Sequence, residues 1–393
     1  MKPLAGVRVL DLTQAMAAPY CTLTLASMGA DVTKIEPPGG EETRRGSVQR
    51  HGHSGTFIAM NTGKRSLVVD LKTEEGVQIV RRLATAADVF VQNYRPGAAS
   101  RLGVAWEQLR TVNPALIYCS ISGFGSTGPY AARGGYDLIA QGMSGIMSVT
   151  GDEDGPPAKA GIPLSDLAAG LFGAYGILCA LEYRAVTGEG QFVETSLQEA
   201  ALALTVWESA EYWATGNTPR ALGSAHRLSA PYQAIRASDG WFTVGANNDK
   251  LFEALCRAID RLELLTDSRF NARLARLDKR KALIAEIERT TATDTRAHWL
   301  ARLDREGVPS GPINTYPETL SDPHVLARRM VVDLWHPGAG PIKALGVPVK
   351  LSRTPGAVDA PAPLLGQHTD EILREAGYDE AARADLRRRG VVQ

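Results

Sequence analysis

Neither net charge nor paired cysteine organises this sequence. Its 43 basic residues balance 43 acidic ones over 393 positions, so no basic excess marks it for nucleic acid or an anionic membrane. The four cysteines (Cys21, Cys119, Cys179 and Cys256) lie far apart without a C-x-x-C pair, which argues against a disulfide framework and a zinc site. Each sits in an apolar run and reads as a core thiol. The seven histidines show neither H-x-x-x-H nor H-E-x-x-H spacing, so no metal is expected. A G-x-S-x-G elbow is also missing, against an α/β-hydrolase. No signal-peptide pattern opens the chain. The longest uncharged apolar stretch, Leu167 to Leu181, falls short of the roughly 20 residues a bilayer span needs. Gly170, Gly173 and Gly176 interrupt it, and it reads as a buried core helix. A cytoplasmic protein without membrane or nucleic-acid partners is the expectation.

What is present is an ordinary globular composition, 44% hydrophobic, enough for a substantial core. The first 120 or so residues alternate strand and helix patterns. Strands are expected at Val7–Leu12, Asp31–Glu36, Ser66–Asp70, Asp88–Gln92 and Leu116–Ile121, with helices over Tyr20–Met28 and from Thr73 to about Ala86. That alternation predicts an α/β fold with a parallel sheet covered on both faces. Two long helices, roughly 166–185 and 197–215, flank a strand at Phe192–Thr195. Residues 216–230 read as a linker and 231–325 as a smaller α+β domain. It begins with a hairpin around Ser238-Asp-Gly and continues with helices near 248–260 and 280–305. Residues 326–393 are expected to return and complete the large domain of residues 1–215.

Gly123-Phe-Gly-Ser-Thr-Gly128 fits G-x-G-x-x-G, but Pro129 and Arg133-Gly-Gly follow where a dinucleotide fingerprint needs a helix. The loop after the first strand, Thr13-Gln-Ala-Met-Ala-Ala-Pro, has no glycine to admit a pyrophosphate. Neither nicotinamide nor flavin is expected. Basic residues recur at strand ends and in loops (Lys34, Arg44, Arg45, Lys64, Arg65, Lys72, Arg95, Arg101, Arg133), where they either bind phosphates or sit in solvent. Asp166 opens the most apolar helix of the chain. Ser165 or Asp166 is a helix cap on one reading, and on the other Asp166 is a desolvated nucleophile.

Several segments together resemble the class III coenzyme A transferases, the family of formyl-CoA and carnitine CoA-transferases. They are Leu4-Ala-Gly-Val-Arg-Val-Leu-Asp-Leu, Gly29-Ala-Asp-Val-Thr-Lys-Ile-Glu, Asn61-Thr-Gly-Lys-Arg-Ser, Asn93-Tyr-Arg-Pro-Gly, Ser120-Ile-Ser-Gly-Phe-Gly, Gly134-Gly-Tyr-Asp, the Asp166 segment and Gly366-Gln-His-Thr. They span nearly the whole chain in the family's order. The resemblance implies a Rossmann-like large domain, a small inserted domain and an interlocked homodimer. It makes Asp166 the nucleophile in transfer of coenzyme A between carboxylic acids, through an aspartyl mixed anhydride and an aspartyl-CoA thioester. Position by position, it implies CoA contacts from Ala17, Val69, Asp70, Leu71, Lys72, Asn93, Tyr94, Arg95, Arg101, Arg133, Gly134, Gly135 and Tyr136.

Gln14 stands where relatives often carry His or Arg, Met16 replaces a Gln of the formyl-CoA enzymes, and Pro37 replaces their Arg. Their glycine-rich substrate loop has no counterpart around Ser224–Pro231. The acid is therefore expected to meet Gln14, Met16, His226 and Arg227 instead, with a dicarboxylate as acceptor and succinyl-CoA as donor. Two alternatives stand beside this reading. A racemase of the α-methylacyl-CoA type needs a His near Tyr136, and tyrosine titrates near 10, too high for a proton shuttle. The other is a non-catalytic CoA-binding protein in which Asp166 only caps its helix.

Overall fold

The computed structural model describes residues 1–393, which form two compact units. The first contains residues 1–146, 160–214 and 323–393, and the second residues 147–159 and 215–322. A six-stranded parallel sheet organises the first: β1 (Arg8–Leu12), β2 (Asp31–Glu36), β3 (Arg65–Val68), β4 (Val89–Gln92), β5 (Ile117–Ser122) and β6 (Phe192–Ser196). Their spatial order is β3-β2-β1-β4-β5-β6. All neighbours are parallel. The chain therefore reverses its direction of travel across the sheet between β1 and β4. In such a fold the crevice beyond the carboxyl ends of those two strands is where ligands bind.

Successive strand residues point to opposite faces, and both faces are buried. Val9, Val32, Val89, Val91, Ile117, Cys119 and Ile121 meet α1 (Ala17–Ser27) and the long α4 (Leu164–Thr187). On the other face, Leu10, Leu12, Ile35, Leu67, Phe90 and Tyr118 pack under α2 (Glu74–Ala84). The C-terminal helices α10 (Thr369–Glu375) and α11 (Glu380–Arg388) cover that face too. Thr73 caps α2 by accepting the Gly76 N–H, and Glu74 and Glu75 suit its positive end. The chain's end is stitched to β3. Asp70 N–H donates to the Val391 carbonyl, and the Gly366-Gln-His-Thr segment engages Ser66 through Gly366 N–H and His368 Nδ1.

Between β5 and α4 runs α3 (Asp137–Met143). The expected 197–215 helix is two, α5 (Leu197–Ala203) and α6 (Val206–Thr215), because Thr205 turns its hydroxyl back onto the Leu202 carbonyl. In the second unit, β7 (Tyr232–Ala237) and β8 (Gly240–Gly245) form the expected hairpin. Helices α7 (Asp249–Ala258), α8 (Arg280–Thr291) and α9 (Arg296–Arg305) pack on it around Phe242, Phe252, Leu283, Trp299 and Leu303. The 280–305 helix is also interrupted, with Thr295 restarting it as an N-cap that accepts the His298 N–H. Beyond α9, strand β9 (Ser310–Pro312) pairs on the far side of β8. A hairpin of β10 (Val331–His336) and β11 (Gly340–Leu345) precedes α10.

Helix α4 is half what the sequence suggests. Ala168, Ala169, Gly170, Gly173, Ala174, Ile177 and Ala180 bury one face. Leu171, Phe172, Tyr175, Leu178, Tyr183 and Val186 leave the other open. Small residues on the buried face allow a close approach to α1. A Cβ on Gly170 would lie 2.5 Å from the Ala17 carbonyl oxygen and 3.2 Å from Cys21 N. Gly170→Ala is expected to destabilise the fold by about 1–3 kcal/mol. That loss outweighs the roughly 1 kcal/mol that alanine gains in a helix interior. Denaturant unfolding measures it, and an unchanged midpoint contradicts the close contact.

Candidate active site

Beyond the carboxyl ends of β1, β4 and β5 lies a cavity of about 710 Å³ within the first unit, with Asp166 on its wall. Gln14, Met16 and Ala17 contribute from the first loop, Asn93, Tyr94 and Arg95 from the second, and Arg133, Gly134, Gly135 and Tyr136 from the segment before α3. Eleven expected site residues thus converge, Asp166 included.

Asp166 sits in the first turn of α4, whose N-cap, Pro163, makes no side-chain cap hydrogen bond. The expectation that Ser165 or Asp166 caps this helix is not met. Instead Asp137, the first residue of α3, anchors the turn by accepting the Ser165 N–H at 2.9 Å. Its other oxygen accepts Gln141 Nε2 at 2.7 Å, and Gln141 in turn accepts the Ala160 N–H. The Asp166 carboxylate accepts no hydrogen bond from the chain. Burial, and secondarily the Asp137 charge, push its pKa from 3.8 up to about 6.

Asn93 joins the two loops at the sheet's reversal point. Its Oδ1 accepts the Gln14 N–H at 3.0 Å and its Nδ2 donates to the Gln14 carbonyl at 2.8 Å. The side-chain amide of Asn93 is therefore spent on the wall itself. Burial pushes the Tyr94 phenol up to about 12, so it remains protonated. Arg133 lies over the rings of Tyr130 and Phe124, 4.7 and 5.5 Å from their centroids. Arg45, Arg95 and Arg133 line the cavity, and none is within salt-bridge distance of a carboxylate. The glycines serve contact between loops: a Cβ on Gly123 would lie 2.7 Å from Gly135 Cα. No helix starts at Gly123–Gly128, as anticipated from Pro129.

Other expected residues lie elsewhere. Val69 is buried in the core, Leu71 packs against it, and the Val69 N–H donates to the Glu36 carbonyl, so Val69 offers a ligand neither side chain nor donor. Asp70 accepts the Lys72 N–H, and Lys72 and Arg101 are exposed outside the cavity wall. His226 and Arg227 belong to the second unit. There the His226 ring stacks on Tyr232 at 4.8 Å and Arg227 donates to the Arg220 carbonyl.

Four of the cations read as either phosphate binders or solvated surface are instead committed to protein carboxylates. Arg65 pairs with Asp31, Glu371 and Glu375. Arg44 holds Glu36 through two hydrogen bonds of 2.6 and 2.7 Å while lying 3.7 Å above Phe57. Lys64, fully buried, donates to Asp11 at 2.9 Å, to Asn61 at 2.9 Å and to the Pro19 carbonyl at 3.1 Å. Lys34, also fully buried, donates to the Thr13 carbonyl at 2.9 Å and pairs with Glu41 at 3.2 Å. Burial alone would raise the Asp11 carboxyl, but Lys64, Lys34 and the Thr13 and Thr22 hydroxyls hold it at about 2. Burial works against the Lys34 ammonium too, yet Asp11, Glu41 and Glu36 outweigh it and raise its pKa. Lys34, Arg44 and Lys64 with the carboxylates of Asp11, Glu36 and Glu41 make a charge-balanced cluster behind the Thr13–Ala17 wall. The sequence reading missed Glu41 and Asp137, and also Glu42 and Thr43, which line the cavity. Lys34 was the available signal, since a lysine inside a strand buried on both faces must find a buried acid.

A carboxyl group whose folded pKa is raised binds more protons in the folded chain than in the unfolded one between about pH 4 and 6. Its ionisation therefore costs stability as pH rises through that window, and the full cost is present at pH 7. Asp166→Asn is expected to stabilise the fold at pH 7 by about 1–3 kcal/mol, with the difference vanishing below about pH 4. Unfolding midpoints at the two pH values measure this, and a destabilised variant at pH 7 contradicts it.

The family model for CoA-transferase family III matches residues 4–369. Among curated relatives, the succinyl-CoA:glutarate CoA-transferase of Mus musculus is 39% identical over 396 residues, covering 100% of this chain and 91% of its own. The succinyl-CoA–D-citramalate CoA-transferase of Chloroflexus aurantiacus is 39% identical over 378 residues, covering 95% and 94%. The crystal structure of a CaiB/BaiF family protein from Brucella suis superposes with a TM-score of 0.87 at 39% identity, covering 95% of this chain and 99% of that one. A match of this extent, in a chain whose cavity gathers expected site residues around the uncommitted carboxylate of Asp166, places the protein: it belongs to CoA-transferase family III and is a CoA-transferase.

Proposed function

We propose that Asp166 carries the acyl group during transfer of CoA from succinyl-CoA to a short dicarboxylic acid. The observation that carries this reading is the half-buried Asp166 carboxylate, unengaged by any donor of the chain, in a cavity whose arginines lack carboxylate partners. A dicarboxylate brings a second charge that an arginine recognises with paired hydrogen bonds. The names of the relatives support this substrate class, since they pair succinyl-CoA with glutarate or citramalate.

Each step balances. The Asp166 carboxylate attacks the donor thioester carbonyl, forming a mixed anhydride and releasing CoA thiolate. The thiolate attacks the aspartyl carbonyl, giving an aspartyl-CoA thioester and the free donor acid. The acceptor's carboxylate then attacks that thioester, forming a second anhydride and freeing the thiolate again. Attack by the thiolate on the acceptor acyl carbonyl gives the new acyl-CoA and restores the carboxylate. Thioester energy passes through every intermediate, so no ATP is consumed. Partial burial sharpens Asp166 as a nucleophile, since water no longer solvates the attacking oxygen and is kept from the anhydrides. Backbone N–H groups of the cavity loops are the donors available to the tetrahedral oxyanions, each worth about 3 kcal/mol. The three cavity arginines offset the charge of the acid and of the CoA phosphates.

Asp166→Ala is expected to abolish exchange between succinyl-CoA and dicarboxylic acids while circular dichroism reports an intact fold. In the native enzyme, kcat/KM is expected to fall about tenfold per unit below pH 6, as the nucleophile protonates. Hydroxylamine added with acyl-CoA is expected to yield a hydroxamate at Asp166. Full exchange in the alanine variant contradicts the reading.

The open face of α4 supports a homodimer. Leu171, Phe172, Tyr175, Leu178 and Val186 are exposed on it, as are Leu202 on α5 and Val206, Trp207 and Trp213 on α6. So much apolar surface on one unit favours a partner, and the resemblance supplies its form, a second copy interlocked with the first. Sedimentation at micromolar concentration is expected to give twice the chain mass, reduced by Tyr175→Glu. A native monomer refutes the dimer.

A further inference from the structure

Ala15 adopts a left-handed backbone, φ 63°, in the loop that forms the cavity wall. Glycine takes this conformation freely and alanine does not, so something must hold it. The Glu41 carboxylate accepts the Ala15 N–H at 3.0 Å through Oε2, while its Oε1 faces Lys34 Nζ at 3.2 Å. Lys34 reaches past it to the Thr13 carbonyl at 2.9 Å. Both side chains are buried, 0% exposed for Lys34 and 3% for Glu41. One ion pair thus grips the loop on both sides of Gln14, whose own peptide groups Asn93 holds from the other flank. Asp11 anchors the start of the segment by accepting the Thr13 N–H at 3.0 Å, but the acceptor for the Ala15 N–H is Glu41, and from there the chain leads into the first turn of α1 against Gly170.

We propose that Glu41, fixed by Lys34, is a positioning residue for acyl transfer: it keeps Ala15 left-handed and so sets the wall of Gln14, Met16 and Ala17 that faces Asp166. The inference rests on the assignment of Asp166 as nucleophile. Released from Glu41, Ala15 relaxes toward negative φ and the peptide planes on either side rotate. Gln14 and Met16 then leave the acyl group's place while the sheet behind them stays.

The test uses the full-length enzyme. Glu41→Gln is expected to lower kcat/KM roughly ten- to hundredfold, the scale of an ångström-sized misplacement at a reacting centre. Adding Ala15→Gly to that variant, which supplies the left-handed backbone without the carboxylate, is expected to restore most of the loss. A purely structural role for Glu41 predicts no such rescue. Where Glu41→Gln does not fold, Ala15→Val is the second probe. Its branched side chain rejects positive φ with every charge intact, and the same loss is expected. Native kinetics in a folded Glu41→Gln or Ala15→Val enzyme overturns the proposal, as does a folded double variant no better than Glu41→Gln. Asp166→Ala assayed alongside separates the two claims. Exchange surviving there removes the nucleophile, whereas rescue by glycine concerns the loop alone.

Discussion

An ionisable oxygen kept short of hydrogen-bond donors is the constraint on which this site depends. Most buried carboxylates are satisfied, as Asp11 and Glu36 are here by lysines, an arginine, hydroxyls and backbone. Asp166 is the exception. Its helix start is anchored by a neighbour, Asp137, which takes the Ser165 N–H and adds like charge besides. The same arrangement that leaves this carboxylate uncommitted makes it a local cost to the fold. Close packing elsewhere on α4 offsets that cost, through the glycines and alanines that bring the helix onto α1.

Topology explains why the remaining groups arrive together. Because the sheet reverses between β1 and β4, their following loops diverge and leave a crevice, bridged by the Asn93–Gln14 pair of hydrogen bonds. The cations sort into two populations. Lys34, Arg44 and Lys64 neutralise buried acids and shape the wall from behind. Arg45, Arg95 and Arg133 line the cavity without a carboxylate partner. A residue count alone cannot make that division, which depends on where each strand's side chains point.

The sheet was legible because strands covered on both faces are apolar almost throughout, with turn residues between them. Helix α1 begins three residues before the expected Tyr20, at Ala17, because Pro19 falls in the first turn, where its missing N–H is not needed. The breaks at Thr205 and Thr295 escaped notice because each hydroxyl's choice of partner is local and leaves no trace in hydrophobic periodicity. Asp166 could not be told from a cap by pattern, since both roles put an acid at the same point of a helix. Resemblance to the family tipped that reading, and the structure shows no cap bond at this helix start. Glu41 was invisible for a different reason: it meets Ala15 across 26 residues, through a backbone N–H that no side-chain pattern encodes.

The central claim is covalent, so mass tests it most directly. Enzyme quenched during steady-state exchange and digested is expected to yield the peptide containing Asp166 heavier by the donor acyl group or by CoA. An unmodified peptide, recovered while exchange is proven in the same sample, would contradict the account.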